Sequence, residues 1–213
     1  MGLRPEGAKA LPEVIKAIDE ADLIILGPGS LYTSIIPNLL VDGVSEAIRR
    51  SQGLKIYILN IMTQDGETEG YSASDHLKAL MSHGGKADVC LYNTDRVARR
   101  LLEKYAGESA RQLWPDPREF RQMGVELTGE SILSRDAHFV RHDPLRLAYA
   151  VMKTAARLAP RPVSYTHLEP AGGGPDPGGL YEPGIPGVYH PGYCGSRAGR
   201  RHEEHYGFGC GHQ

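Results

Sequence analysis

Short apolar runs alternate with amphipathic segments along the first 160 residues of the chain. Three of these runs have the length of buried strands, namely DLIILG at residues 22–27, KIYILNIM at 55–62 and ADVCLYN at 87–93. The segments around them repeat their apolar residues at the period of a helix. Because strands and helices alternate, the pattern predicts an α/β fold in which helices cover both faces of a parallel sheet.

Five amphipathic segments predict the helices of this fold. They cover residues 11–21, 38–51, 72–84, 97–107 and 143–159. A shorter β region is predicted around residues 125–140, between the last two helices. The predicted order of elements places a loop and a helix after each of the first two strands.

The composition changes near Pro160. Half of the 26 glycines and more than half of the nine histidines lie in residues 159–213, where apolar runs of strand or helix period are scarce. This composition predicts a disordered C-terminal tail and places the end of the folded domain at residue 158. The stretch VSYTHL in the tail resembles translated adapter sequence, so either contamination or a frameshift explains a non-native tail.

Charge and hydropathy exclude several classes of function. The net charge is -2 and no long run of lysine or arginine occurs, which argues against a nucleic-acid partner. No stretch approaches the roughly 18 apolar residues of a membrane span, and MGLRPEGAKALPEV lacks the apolar core of a secretion signal. The cysteines and histidines of the tail match no metal-ligand spacing. We therefore expect a cytoplasmic protein without a metal or a tightly bound cofactor.

The loop after the first predicted strand, GPGSLYTS, is one of two candidate sites. Gly27 and Gly29 let backbone amides approach an anion closely, and hydroxyl groups follow at Ser30 and beyond. A phosphate or diphosphate would suit these groups, but an ordinary turn between a strand and a helix fits the motif equally well. The hydroxyl-bearing candidates in this loop are Ser30, Tyr32, Thr33 and Ser34.

The loop after the second strand, NIMTQDGETEGYSASDH, is unusually polar. In open parallel sheets ligands bind at the carboxyl ends of the strands, so both loops belong to one edge. The candidate ligand contacts in this loop are Asn60, Thr63, Gln64 and Glu67. Its last residues also fit a solvated loop in which Ser74 caps the next helix.

Four motifs together resemble the gluconeogenesis-factor (YvcK) family of the CofD-like superfamily. In order, they are GPGSLYTSIIPNLL, NIMTQDGETEGYSASDH, KYAGESARQLWPD and VRHDP. The resemblance runs from Ala8 to Leu158 and implies a Rossmann-like fold. It also implies binding of a UDP-sugar, UDP-N-acetylglucosamine in particular, and support of cell-wall synthesis and cell shape during gluconeogenic growth. No catalytic activity is implied for this branch.

The resemblance also implies roles for two later residues. Tyr105 can stack on the uracil ring, or it can be a core tyrosine that closes a helix. Arg141 can direct two donors at phosphate oxygens, or it can form a surface ion pair with Asp143. The family pattern places nucleotide-sugar contacts at both residues. We assign no catalytic role to His76 or His142, because neither has a nucleophile with the required neighbours.

The motifs that begin full-length relatives, a GGGTG-type turn and an Asp-Asp-Gly-Gly segment, do not occur in this chain. The resemblance therefore covers only the C-terminal half of the family's domain, residues 1–158. With one sheet edge bare, we expect self-association into homo-oligomers and weak binding of the nucleotide sugar. The sister branch, the 2-phospho-L-lactate transferases of deazaflavin cofactor synthesis, offers an alternative function, although its loop usually reads Ser-Asn-Pro.

Overall fold

A computed structural model describes residues 2, 7–107, 109–135 and 138–159. The predicted tail, apart from its first residue, lies outside the described residues. Four strands form one parallel sheet in the order β1-β2-β3-β4. They are β1 (Leu23–Leu26), β2 (Leu54–Ile58), β3 (Val89–Asn93) and β4 (Glu126–Glu130). The predicted parallel α/β fold is confirmed.

Helices connect the strands and cover both faces of the sheet. The helices of the described residues are α1 (Pro12–Glu20), α2 (Ile36–Leu39), α3 (Val44–Arg50), α4 (Ala73–Ser82), α5 (Arg99–Ala106), α6 (Pro117–Gln122) and α7 (Pro144–Leu158). A short π-helix (Leu31–Ile35) leads directly into α2. On one face, α2, α3, α4 and α6 pack against Tyr57 and Cys90 of the sheet. On the other face, α7 packs against Ile56 and Leu91.

The single helix predicted over residues 38–51 is wrong in one respect, because the structure breaks it into α2 and α3. Gly43 precedes α3 with a φ of 91°, a left-handed conformation that glycine adopts without strain. At the same break, the backbone of Asp42 bonds to the segment before α1, accepting from Ala10 N at 3.0 Å and donating to Ala8 O at 2.9 Å. The backbone groups at this break therefore bond to another segment instead of continuing a helix.

The strand predicted over residues 55–62 ends early, at Ile58. Leu59 N still donates to Leu91 O of β3 at 3.0 Å. The chain then leaves the sheet and pairs with a distant loop, since Leu113 N donates to Ile61 O at 2.9 Å and Met62 pairs with Gln112. The apolar pattern of the sequence extends the predicted strand to Met62 because Ile61 is apolar and buried, although it is buried outside the sheet. The early departure turns Asn60 and its neighbours toward the loop after β1.

The helix α6 was not predicted, although its signal is present in the sequence. Asp116 caps it by accepting a hydrogen bond from Arg118 N at 2.8 Å, and Pro117 stands at its first position. The cap of α4 also differs from the one considered above. Ser72, not Ser74, accepts from Asp75 N in a reciprocal capping box.

Candidate functional site

The loops after β1 and β2 lie side by side and are joined by side-chain hydrogen bonds. Ser30 Oγ donates to Gln64 Oε1 at 2.8 Å. Asn60 Nδ2 donates to the carbonyl oxygen of Gly29 at 3.0 Å. Each bond links a candidate residue of the first loop to one of the second. The two loops therefore form one surface at the carboxyl edge of the sheet.

Glu67 serves the local structure of the first loop. Its Oε1 atom accepts hydrogen bonds from Tyr32 N at 3.2 Å and Thr33 N at 2.9 Å. These amides lie in the first turn of the π-helix, where a carboxylate is favoured by the helix dipole. Two amides that a ligand anion would otherwise use are thus bound by the protein's own carboxylate. Contact between Glu67 and a ligand stays a prediction.

A cavity of about 230 Å³ opens between these loops and a third segment. We call it the loop cavity, and its lining consists of Gly29 and Ser30, residues 60–64, and residues 140–142. Six of the predicted contacts meet there. They are Gly29, Ser30, Asn60, Thr63, Gln64 and Arg141. The cavity therefore gathers residues from three segments that are far apart in the chain.

Thr63 and the second loop are held in place from behind. Thr63 is buried, and it exchanges two hydrogen bonds with Arg111, one from Thr63 N to Arg111 O and one from Arg111 N to Thr63 Oγ1, both at 2.9 Å. The Arg111 side chain donates to the carbonyl oxygen of Gly70 at 2.6 Å. The KYAGESARQ segment thus fixes the second loop, a role that its motif did not predict.

Arg141 is exposed, and its guanidinium lies 4.7 Å from the ring centroid of Phe139. The considered ion pair with Asp143 is absent from the described residues. Asp143 instead caps α7, since its Oδ1 accepts from Leu145 N at 3.1 Å and Arg146 N at 3.0 Å. Arg141 therefore lines the loop cavity without a carboxylate partner among the described residues.

Tyr105 lies next to the loop cavity but does not line it. Its ring packs in a small apolar cluster with Ile61 and Leu101, and Met62 and Val140 lie against the same cluster. Its hydroxyl accepts a hydrogen bond from Val140 N at 3.3 Å. In this position Tyr105 supports two residues of the cavity wall. Stacking on uracil stays a prediction.

The remaining hydroxyl-bearing candidates of the first loop lie outside the described lining of the loop cavity. Tyr32 shares a hydrogen bond of 2.8 Å with Tyr71, which is the main reason that the pKa of Tyr32 is raised to about 12. Thr33 and Ser34 are exposed outside the cavity. Gly27 has a φ of 93° and lies close to Ile58, so its place is in the turn.

His142 lines the cavity although no ligand role was predicted for it. Its Nε2 atom is buried and has no hydrogen-bond partner. Burial lowers the pKa of His142, while a hydrogen bond to the Leu59 backbone acts in the opposite direction. A neutral ring is therefore favoured. His76 lies instead within α4, where Nδ1 is 2.9 Å from Ser72 O, in line with a structural role.

The described ranges lack the features of a metal centre and of a membrane span. No group of three or more histidine, cysteine, aspartate or glutamate side chains is placed there to hold a metal ion. Nor does any helix in those ranges combine the length and the apolar character needed to cross a membrane.

Comparison with known proteins gives consistent matches. The chain is 45% identical over 148 residues to the gluconeogenesis factor of Bacillus subtilis, covering 68% of this chain and 47% of the relative. It is 40% identical over 159 residues to the gluconeogenesis factor of Halalkalibacterium halodurans, covering 74% of this chain and 49% of the relative. The chain thus spans about half the length of these curated relatives.

A crystal structure and a family model agree with these matches. The crystal structure of protein BH3568 from Bacillus halodurans superposes with a TM-score of 0.67 at 41% identity, covering 70% of this chain and 49% of that one. The model described as 2-phospho-L-lactate transferase CofD matches residues 1–133, which is more than half of the chain. This protein therefore belongs to the CofD family and is similar to its gluconeogenesis factors.

Proposed function

We propose that the protein binds a nucleotide sugar, UDP-N-acetylglucosamine, at the loop cavity. One observation carries the proposal: six of the predicted contacts, from three separate segments, line the same small cavity. The cavity lies at the carboxyl edge of β1 and β2, where open parallel sheets bind ligands. The similarity to gluconeogenesis factors supports this choice of ligand class.

The diphosphate would be held at the Gly29 side of the cavity. Gly29 carries no side chain there, so the backbone can approach an anion closely. The Ser30 hydroxyl donates a hydrogen bond to Gln64, and a phosphate oxygen would accept this hydrogen bond in place of Gln64. Arg141, free of a carboxylate among the described residues, would direct two charge-assisted donors at phosphate oxygens.

The cavity is smaller than a whole nucleotide sugar needs. Sites for ligands of this size have volumes of roughly 300–1,000 Å³, and the loop cavity has about 230 Å³. We therefore place only the diphosphate and adjoining atoms inside it. The rest of the ligand would extend over the open side of β1, and binding by this chain alone would be weak.

The cellular role follows the relatives. We propose that nucleotide-sugar binding lets the protein support cell-wall synthesis and cell shape during gluconeogenic growth in the cytoplasm. We propose no reaction for it, because among the described residues the ring of His142 bonds to the Leu59 backbone and its Nε2 atom to no hydroxyl or thiol.

Ligand-observed NMR on the 213-residue chain tests the proposal. Saturation should transfer to UDP-N-acetylglucosamine at millimolar ligand, and it should transfer more weakly to free N-acetylglucosamine, which lacks the diphosphate. The Arg141→Ala variant should reduce the transfer. Absence of transfer in the unaltered, folded protein would contradict the proposal.

The second candidate is 2-phospho-L-lactate transfer to a deazaflavin acceptor, and the description of the matching family model favours it. The Gly-Pro-Gly-Ser loop argues against it, because the transferases usually have Ser-Asn-Pro there. Incubating the protein with the acceptor and a nucleotide-activated phospholactate would decide the question. A phospholactyl product in the mass spectrum, absent without protein, would promote this candidate over the binding protein.

A further inference from the structure

A second and larger cavity lies at the carboxyl edge of β3 and β4. Its volume is about 640 Å³, within the range of roughly 300–1,000 Å³ that is common for small-molecule sites. We call it the arginine cavity after the residues that set its charge. These are Arg96, Arg100, Arg135 and Arg146, and among the described residues of the lining Asp95 is the acidic one. None of these lining residues was predicted to contact a ligand.

Three of the four arginines of this cavity have no carboxylate partner in the described part of the chain. Arg96, Arg135 and Arg146 form no ion pair with any carboxylate of the described residues. A neighbouring cavity on the same side of the sheet shows the opposite arrangement. There, Lys153 pairs with Glu130 at 2.9 Å. Three unpaired arginines around one concave surface outweigh the single carboxylate of Asp95, and their mutual repulsion is relieved when an anion binds between them.

The wall of the arginine cavity is held in place by hydrogen bonds. Asp95 Oδ2 accepts from Ser131 Oγ at 3.0 Å and from Leu133 N at 3.2 Å. Arg146 Nη1 in turn donates to Ser131 Oγ at 3.4 Å. Below them, the buried Asn93 side chain donates to Asp95 O at 2.8 Å. Asp95 therefore holds the cavity wall together, and its single carboxylate is outnumbered by the arginines of the lining.

The two cavities are separated by a short paired segment. Ser134 N donates to Arg141 O at 2.8 Å, and Leu133 pairs with His142 in antiparallel fashion. Leu133 and Ser134 line the arginine cavity, whereas Arg141 and His142 line the loop cavity. A ligand in one cavity therefore does not occupy the other.

We propose that the arginine cavity is a second binding site, for a small anion that carries two or more phosphate groups. Guanidinium groups bind phosphate oxygens through paired donors, and several of them around one cavity select ligands of high charge density over single carboxylates. This site is additional to the proposed nucleotide-sugar site. It does not depend on the presence of UDP-N-acetylglucosamine.

Titration calorimetry of the 213-residue protein with inorganic pyrophosphate tests the proposal. Pyrophosphate should bind at one tighter site that persists in the Arg141→Ala variant of the loop cavity, more tightly than citrate does, and more weakly as salt is added. The double variant Arg96→Gln/Arg146→Gln should weaken binding by at least about tenfold, because it removes two charge-assisted contacts. The variant Arg96→Lys/Arg146→Lys should bind pyrophosphate with an affinity between those of the unaltered protein and the glutamine variant, since it keeps the charge and loses the paired donors.

The matched control is Arg118→Gln/Arg121→Gln, which removes two exposed arginines from α6. It loses the same net charge and should bind pyrophosphate as the unaltered protein does. Equal weakening by both double variants, with each variant folded by circular dichroism, would reduce the effect to net charge and overturn the proposal. Displacement of pyrophosphate by UDP-N-acetylglucosamine that is lost in the Gly29→Val variant would also overturn it, because both ligands would then bind in the loop cavity.

Discussion

The β1–β2 half of the sheet and the β3–β4 half both end in a cavity, but the two cavities are built from different groups. The loop cavity is lined mainly by backbone and neutral side chains that already bond to one another, as Ser30 does with Gln64. The described lining of the arginine cavity has four cationic side chains and one acidic one. A site of the first kind selects by shape and close approach, whereas a site of the second kind selects by charge.

The two edge strands of the sheet also differ in charge, since β4 carries glutamates and β1 is apolar. β4 has the sequence ELTGE, and its two glutamates pair with Arg157 and Lys153 of α7. Such charges protect an edge strand from pairing with another chain. β1 has the sequence LIIL, and Ile25 remains 45% exposed. The β1 side is therefore the half that is open to further apolar contact.

The largest effect is expected from Gly29→Val, which should abolish nucleotide-sugar binding. A Cβ atom at this position would lie 3.3 Å from Ser34 Cβ, and the valine branches would fill the approach to the backbone. Pyrophosphate binding at the arginine cavity should be unchanged, which separates the two halves. Gly107→Val is the matched control, because its Cβ would meet Lys104 O at an ordinary 3.5 Å. Persistent UDP-N-acetylglucosamine binding by a folded Gly29→Val protein would refute the role of this loop.

Arg141→Ala should weaken nucleotide-sugar binding by about 1.5–3 kcal/mol, the usual worth of hydrogen bonds to a charged group. Thermal stability should change little, since the side chain is exposed and contacts mainly Phe139. Titration calorimetry and a melting curve give the two quantities. Loss of stability without loss of affinity would make Arg141 a structural residue of the cavity mouth.

Glu67→Gln should lower the free energy of unfolding by about 1 kcal/mol, because a charged acceptor at the start of a helix becomes a neutral one. The carboxylate at present accepts from Tyr32 N and Thr33 N. Urea unfolding measures the change. Glu69→Gln is the control, as Glu69 is exposed on the same loop. Equal unfolding energies for the two variants would show that these amide bonds contribute nothing measurable.

Acid should destabilise the protein through its buried histidines. Burial lowers the pKa of His76 and of His142, so between the lowered values and the unfolded value of about 6.5 the unfolded chain binds more protons. Their contribution to stability is complete above that value and is lost as the pH falls below it. Melting temperatures should therefore drop between about pH 7.5 and about pH 5.5. His76→Asn should reduce the dependence of the melting temperature on pH more than His83→Asn does. An unchanged dependence in His76→Asn would show that His76 does not contribute to it.

The smallest effect is expected at the open edge. Ile25→Thr should reduce self-association measured by light scattering, because it removes apolar surface from β1. Leu145→Thr is the control, since Leu145 is 83% exposed on α7, away from that edge. Equal reduction by both variants would show that the contact is not made through β1.

Local patterns predicted the elements better than their ends. Apolar runs identified three of the strands, and the helical period identified α4, α5 and α7. Those signals are local, since a buried strand or an amphipathic helix needs apolar residues at a fixed spacing. The break at Gly43 and the early end of β2 depend on hydrogen bonds to remote segments, and the spacing of residues carries no information about these.

For the site, the sequence by itself determined which loops end at the functional edge, because parallel strands bring their carboxyl ends together. Six of the predicted contacts lie in one cavity. Only the tertiary structure decided that the Glu67 carboxylate binds the amides of the first loop and that Tyr105 stands behind the cavity wall. The tertiary structure alone also brought together the four arginines of the second cavity, which lie up to 50 residues apart in the chain. Residue types and order are local properties, whereas the pairing of charges and hydrogen bonds is fixed only when distant segments pack.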